Sequence, residues 1–213
     1  MVGVDQGTLI LYDKQTNSRW SQLFGNAVSG PMKGEQLVKL PSTMTTWAKW
    51  KALHPNTTVY VKRSIPYDQR FTQETFEKIA KMEEGPIRSN DLVVGLEGHV
   101  TSRAYLVRRL AKNRLVNDMI EGQPIAIYLS EDLATARVLD RKVDGKTLTL
   151  ETSDGNLLQD RETKSTWNPL TGEAISGSLK GKKLEPLVST YSLWFAWKKY
   201  RPHTEIYGED SSE

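Results

Sequence analysis

The sequence predicts a strand-rich α+β fold: twisted antiparallel sheets, a few short helices, and one hairpin–turn–helix unit present twice. Three observations predict it. Residues 18–37, SRWSQLFGNAVSGPMKGEQL, return at 165–184 as STWNPLTGEAISGSLKGKKL, with ten identical residues at identical spacings. Short runs elsewhere alternate apolar and polar residues, the period-two pattern of half-buried strands. The runs are separated by glycine and Asp-Gly punctuation, which marks tight hairpins.

Taken in chain order, LILYDKQTNSRWSQ reads as a hairpin turning at Asp13-Lys14-Gln15-Thr16, where Asp can accept from backbone amides two residues on. Gly25, Gly30 and Gly34 suit tight turns and bulges. TTWAKWKALHP reads as a short helix stopped by Pro55, with Trp47 and Trp50 on one face. FTQETFEKIAKMEEGP supplies a second helix, with Thr72 as N-cap, Phe76, Ile79 and Ala80 as the apolar stripe, and Gly85-Pro86 as the stop. DLVVGLEGHVTSRAYLV reads as a hairpin across Glu97-Gly98, and YLVRRLAKNRL as a basic amphipathic helix. PIAIYLS, ATARVLD and KTLTLET read as strands, with Asp144-Gly145 as a turn. SLWFAWKKYRP repeats the Trp-bearing helix, now with Trp194 and Trp197 and a stop at Pro202.

The repeat runs from Asp13 and Asp160 to Tyr60 and Tyr207 at a constant offset, 160 − 13 = 147, without a gap. About twenty of the paired positions are identical, and the period is too long for a solenoid or a propeller blade. Carried backwards, the offset places the partners of residues 91–147 ahead of Met1. The expected organisation is therefore an incomplete first copy at 1–60, a helical linker at 61–90, a complete second module at 91–207 and a polar tail at 208–213.

Composition narrows the chemistry. The 213 residues contain no cysteine, which excludes disulfides, thiolate metal sites and thiol nucleophiles. A net charge of +3 gives no argument for nucleic acid. No apolar run reaches the roughly 20 residues that span a bilayer, and the N-terminus lacks a signal-peptide pattern.

LYDKQTNSRWSQLFGNAVSGPMKGEQLVKLPSTMTTWAKWKALHP, LVVGLEGHVTSRAYLVRRLAKNRLVNDMIEGQPIAIYL and SLWFAWKKYRPHTEIYG together resemble the domain of unknown function 3179, over nearly the whole chain. The resemblance implies no established activity. It implies a Tyr-Cys-Pro-Leu motif after the PIAIYL strand, where this chain has Leu129 and Ser130. It also implies a His before Val116-Asn117-Asp118, where Asn113 and Arg114 stand. The residues suggesting redox or metal chemistry are thus replaced, while the scaffold residues remain. The resemblance favours an extracytoplasmic location; the lack of a signal peptide leaves a cytoplasmic one open.

The candidate sites divide accordingly. His54, His99 and His203 have no short-range ligand spacing, so no metal or cofactor is expected. Ser29 and Ser176 lie in VSGP and ISGS, outside a nucleophile elbow. Asp13 and Asp160 read as turn caps, and the recurring glycines lack the Gly-Lys-Ser/Thr ending of a phosphate loop. No catalytic residue is assigned. Trp20, Trp47 and Trp50 are the expected buried anchors of the first unit and, with Arg108, Arg109 and Lys112, the candidates for partner contact. The reading is a non-catalytic interaction or scaffold module docking onto a larger assembly, with peripheral membrane association left open. Two alternatives stand beside it: an extracytoplasmic redox or metal-handling protein whose cysteine-bearing half is absent, and a carbohydrate-binding protein.

Overall fold

The computed structural model describes residues 3–5, 7–61 and 86–209. The helix expected around Thr72–Ala80 and the last residues of the tail lie outside them. Two short strands open the fold: β1 (Gly3–Asp5) and β2 (Thr8–Tyr12) pair antiparallel, extended by β3 (Arg19–Ser21) and β4 (Ala27–Ser29) into a four-stranded antiparallel meander. Helix α1 (Trp47–Leu53) follows, capped by Thr46, whose hydroxyl accepts from the Lys49 amide.

The hairpin expected across Glu97-Gly98 is β5 (Leu92–Glu97) and β6 (Ser102–Leu106). The basic helix is α2 (Val107–Asn113), closed by Arg114 in the left-handed region. Next come β7 (Leu115–Ile120), β8 (Gln123–Leu129) and β9 (Ala136–Asp140), an antiparallel sheet in that order. A small hairpin of β10 (Lys142–Val143) and β11 (Lys146–Thr147) turns at Asp144-Gly145, both at positive φ as a type I′ turn requires. Strands β12 (Leu150–Ser153), β13 (Leu157–Asp160), β14 (Thr166–Trp167) and β15 (Ala174–Ser176) make a second meander. The chain then returns: β16 (Thr190–Leu193) pairs antiparallel with β5, α3 (Trp194–Tyr200) crosses the sheet, and β17 (Glu205–Ile206) pairs parallel with β6.

These sheets stack in layers, and the side-chain alternation shows why. On β8, Ile125, Ile127 and Leu129 face one hydrophobic cluster with β5, β6 and α2, while Ala126 and Tyr128 face another with the β12–β15 sheet. A strand covered on both sides needs apolar residues at successive positions, which is what PIAIYL supplies. On β5 and β6 the same logic holds: Val94, Leu96 and Tyr105 point into the first cluster, and Val93, Ala104 and Leu106 point outward to Trp194, Trp197 and Phe24. At the centre of the β8 layer, the buried Arg141 donates to the carbonyls of Ile125, Leu148 and Asp118. Burial pushes its pKa down, and the three acceptors satisfy a cation that would otherwise be costly there.

The Asn-Asp of LVNDMI also finds a structural use. Asn117 donates to the Leu150 carbonyl and accepts from the Leu150 amide, tying β7 to β12. Asp118 accepts from the Tyr105 hydroxyl at 2.6 Å and from Arg103 at 2.8 Å. KTLTLET is not one strand. It breaks at Leu148 and Thr149, where Leu148 gives its carbonyl to Arg141 and Thr149 gives its amide to Glu162.

Candidate interaction face

The turn after Asp13 builds itself from four side chains. Asp13 accepts from the Thr16 amide and hydroxyl at 2.6 and 2.7 Å, and from the Trp20 indole at 2.8 Å. Ser18 accepts from the Thr16 hydroxyl and, across the loop, from the Met32 amide. With 147 added to each number, Asp160, Thr163, Ser165, Trp167 and Leu179 make the same set of bonds. Asp therefore caps an amide three residues on, not two. It also orients a tryptophan, which the sequence reading did not foresee. The Trp20 indole and the Thr16 groups hold Asp13 down at a pKa of about 2, so it stays ionised as an acceptor.

The strand registers agree as well. Tyr12 faces Arg19 and Leu11 faces Trp20; Gln159 faces Thr166 and Leu158 faces Trp167. Both meanders carry an irregularity at the matching place, Arg19/Trp20 and Thr166/Trp167. Gly30 and Gly177 are both at positive φ, against the Cα of Ser18 and Ser165 respectively. The outer pair differs: Gly7, at positive φ, leads into β2, whereas β12–β13 turns over residues 154–156.

The two Trp-bearing helices share local geometry and differ in surroundings. Trp50 donates its indole N–H to the Thr57 hydroxyl at 2.9 Å, and Trp197 donates to Thr204 at 3.0 Å. Each helix ends with an amide donating to the tryptophan carbonyl, from His54 and from Arg201. Yet Trp194 and Trp197 are 6% and 0% exposed, whereas Trp47 and Trp50 are 51% and 40% exposed, and α1 buries no residue. The expectation that Trp47 and Trp50 form the buried side of the first unit is corrected here; only Trp20 is half-buried.

The cause is what lies beneath. Helix α3 lies on β5 and β6, with β16 and β17 flanking it, and the Trp197 ring sits on Gly95. Under α1 no such strands stand among the described residues. Residues 43–46, which match β16, and 58–59, which match β17, carry no strand pairing. Leu40, Met44, Leu53, Val59, Tyr60 and Val61 are exposed beside them.

The other side of the first unit is engaged. Phe24 is buried and stacks on Tyr200 with ring centroids 3.5 Å apart. Lys39 pairs with Glu97 at 2.6 Å, and Arg201 pairs with the same carboxylate at 2.5 Å. Burial raises the Glu97 pKa, but these two cations outweigh it and hold the group below its ordinary value. Thr43 accepts from Arg137, Thr45 bonds Thr135 at 2.9 Å, and Lys49 pairs with Asp132 at 2.7 Å.

The basic candidates occupy a different place. Arg108, Arg109 and Lys112 line a cleft of about 610 Å³, together with Tyr105, Asn117 and Tyr207. Arg108 pairs with Asp91 at 3.0 Å and Arg109 with Glu209 at 2.5 Å; Arg108 and Lys112 are exposed and Arg109 is half-buried. The tryptophans and this basic group are thus separate features of the surface. His99 gives its amide to Glu121, His54 packs against Trp50, and His203 is exposed in a turn. Among the described residues, no group of three or more His, Asp or Glu could hold a metal ion. No described helix is long and apolar enough to cross a membrane.

Sequence reasoning missed Glu121. Its carboxylate accepts from the amides of Thr101, Val100 and His99, which hold its pKa down to about 2 and fix the β5–β6 loop. The signal available was the Glu121-Gly122 pair, a turn at positive φ on both residues.

Comparison with known proteins gives one match: a family described as "Protein of unknown function (DUF3179)" covers residues 4–204. No curated protein and no solved structure matches the chain.

Proposed function

The chain belongs to the DUF3179 family of proteins of unknown function, and from that premise we propose that it is a non-catalytic interaction module, an accessory or scaffold subunit of a larger protein assembly. One observation carries the reading: the face of α1 presents Trp47, Trp50 and Leu53 to solvent, with Met44, Val59 and Tyr60 around it. Contiguous apolar surface of this kind marks contact sites, and tryptophan is the residue most enriched among binding hot spots. The two units are read as copies of one ancestral unit, of which the second has strands beneath its tryptophan helix and the first has none there among the described residues.

Co-purification from the source organism tests this. The wild-type chain is expected to bring down a stoichiometric partner that a Trp47→Ser/Trp50→Ser variant of equal stability loses. A chain that is monomeric, without a partner in either form, overturns the reading.

The exposed tryptophan pair also supports a carbohydrate-binding reading, since sugars stack on open indole faces. Titration with soluble glucans, read by tryptophan emission, separates the two: a saturable shift lost in Trp47→Ser favours the sugar.

A further inference from the structure

The uncovered face has a template inside the same molecule. In the second unit, residues 190–193 pair antiparallel with β5, in the register Thr190 to Gly95 and Leu193 to Leu92. Glu205 and Ile206 pair parallel with Arg103 and Ala104 on β6. Trp194 and Phe195 donate their amides to the carbonyls of Asp91 and Ser89. Trp197 closes over Gly95, where a Cβ would stand 2.4 Å from the ring. Arg201 pairs with Glu97 at 2.5 Å. Every one of these contacts is made to one hairpin, 92–106, or to the residues leading into it.

The first unit offers the same contacts with the hairpin missing among the described residues. Thr43–Thr46 stand where β16 stands, Trp50 where Trp197 stands, and Thr58 and Val59 where β17 stands. His54 replaces Arg201, so an acidic residue there meets an imidazole. The local bonds that pose the helix, Trp50 to Thr57 and His54 to Trp50, are already in place. The face is continuous with the contact to the second module, since Thr43, Thr45 and Lys49 bind Arg137, Thr135 and Asp132 along its edge.

We propose that residues 43–61 are the seat of a two-stranded β-hairpin of the 92–106 kind, supplied by a partner polypeptide of the same family. Its first strand runs antiparallel to 43–46 and its second parallel to 58–59, and it carries a glycine beneath Trp50 and an acidic residue opposite His54. Unpaired strand edges beside an apolar face are what strand addition uses: main-chain bonds give affinity, and the glycine gives specificity. A second copy of this chain is a poor donor. Its own 92–106 hairpin is already covered by Trp194 and Trp197, and donating it would expose them.

This deepens the interaction-module reading and rests on it. The probe is a longer chain in which a copy of residues 91–147 is joined directly ahead of Met1, the position the constant offset dictates. Amide exchange across 47–61 is expected to slow by about tenfold or more in the graft relative to the unmodified chain. Because the chain has no cysteine, Met44→Cys combined with Val94→Cys in the grafted copy is expected to form a disulfide. Gly95→Leu in the grafted copy alone is expected to abolish both effects. Unchanged exchange with no disulfide overturns the hairpin proposal, as does protection that survives the Gly95→Leu change. Slow exchange of 47–61 in the unmodified chain, as a monomer or as a dimer of copies, sinks the hairpin and the open-face reading together. Fast exchange there with no response to the graft sinks the hairpin alone. Independently of how the graft folds, Trp50→Ala in the unmodified chain should leave the melting temperature nearly unchanged. A fall as large as that of Trp197→Ala means the face is already covered and overturns the proposal.

Discussion

The indole of Trp197 rests on Gly95, so closely that a Cβ at that position would stand 2.4 Å from two ring atoms and 2.5 Å from a third. The ring is fully buried and its N–H is tied to Thr204, so it cannot swing aside cheaply. Gly95→Ala is therefore expected to destabilise the protein by about 1–3 kcal/mol through overpacking. Urea denaturation measures it; a change within experimental error would mean that the helix rides freely on the sheet.

The two tryptophan helices should respond unequally to the same truncation. Trp197→Ala empties a buried site and is expected to cost about 3–5 kcal/mol. Trp50→Ala removes a ring that is 40% exposed and should cost no more than about 1 kcal/mol. Equal losses in parallel urea titrations would contradict the difference in burial.

Asp160 and Asp13 make matching bonds in different surroundings. Asp160 is buried, and removing its carboxylate leaves the Trp167 indole and the Thr163 amide without an acceptor. Asp160→Ala should cost on the order of 3 kcal/mol, the scale of hydrogen bonds to a charged group. Asp13→Ala should cost clearly less, since its turn is open to water. Comparison of the two variants by thermal unfolding decides it.

Acid should weaken the fold in a defined window. Glu121, Asp13 and Asp132 are each held near pKa 2, below ordinary values of 4.5 for Glu and 3.8 for Asp: Glu121 by backbone amides, Asp13 by the Trp20 indole first, Asp132 by Lys49 first. A carboxylate with a depressed folded pKa contributes stability above its unfolded pKa and loses it as pH falls through the folded value. The urea midpoint is expected to fall between pH 4.5 and pH 2, the window these values span. Glu121→Gln should flatten part of that slope. A midpoint flat across the window would contradict the assignments.

Elements with local signals were legible in the sequence. The Asp13 turn, the Asp144-Gly145 hairpin and the three described helices all carry their own caps, glycines or periodicity. Strand β7 was not legible, because Asn117 and Asp118 look like turn residues until Leu150, Tyr105 and Arg103 arrive from elsewhere to satisfy them. Likewise Trp47 and Trp194 sit in the same local pattern. Their exposure differs because one helix has strands under it and the other has none among the described residues, a difference written 40 or more residues away in the chain. The candidate face was legible as residues and illegible as a surface: Trp47 and Trp50 were singled out, but their openness was not.

Strand β8 is hydrogen-bonded to β7 on one edge and β9 on the other, and its two faces belong to different hydrophobic clusters. Neither cluster can open without stripping this strand out of its companion. The second module therefore has no cheap half-open state along that plane, and the backbone amides of Ile125–Leu129 have no local route to solvent. They exchange only when the whole module comes apart, so their opening free energy reports its global stability.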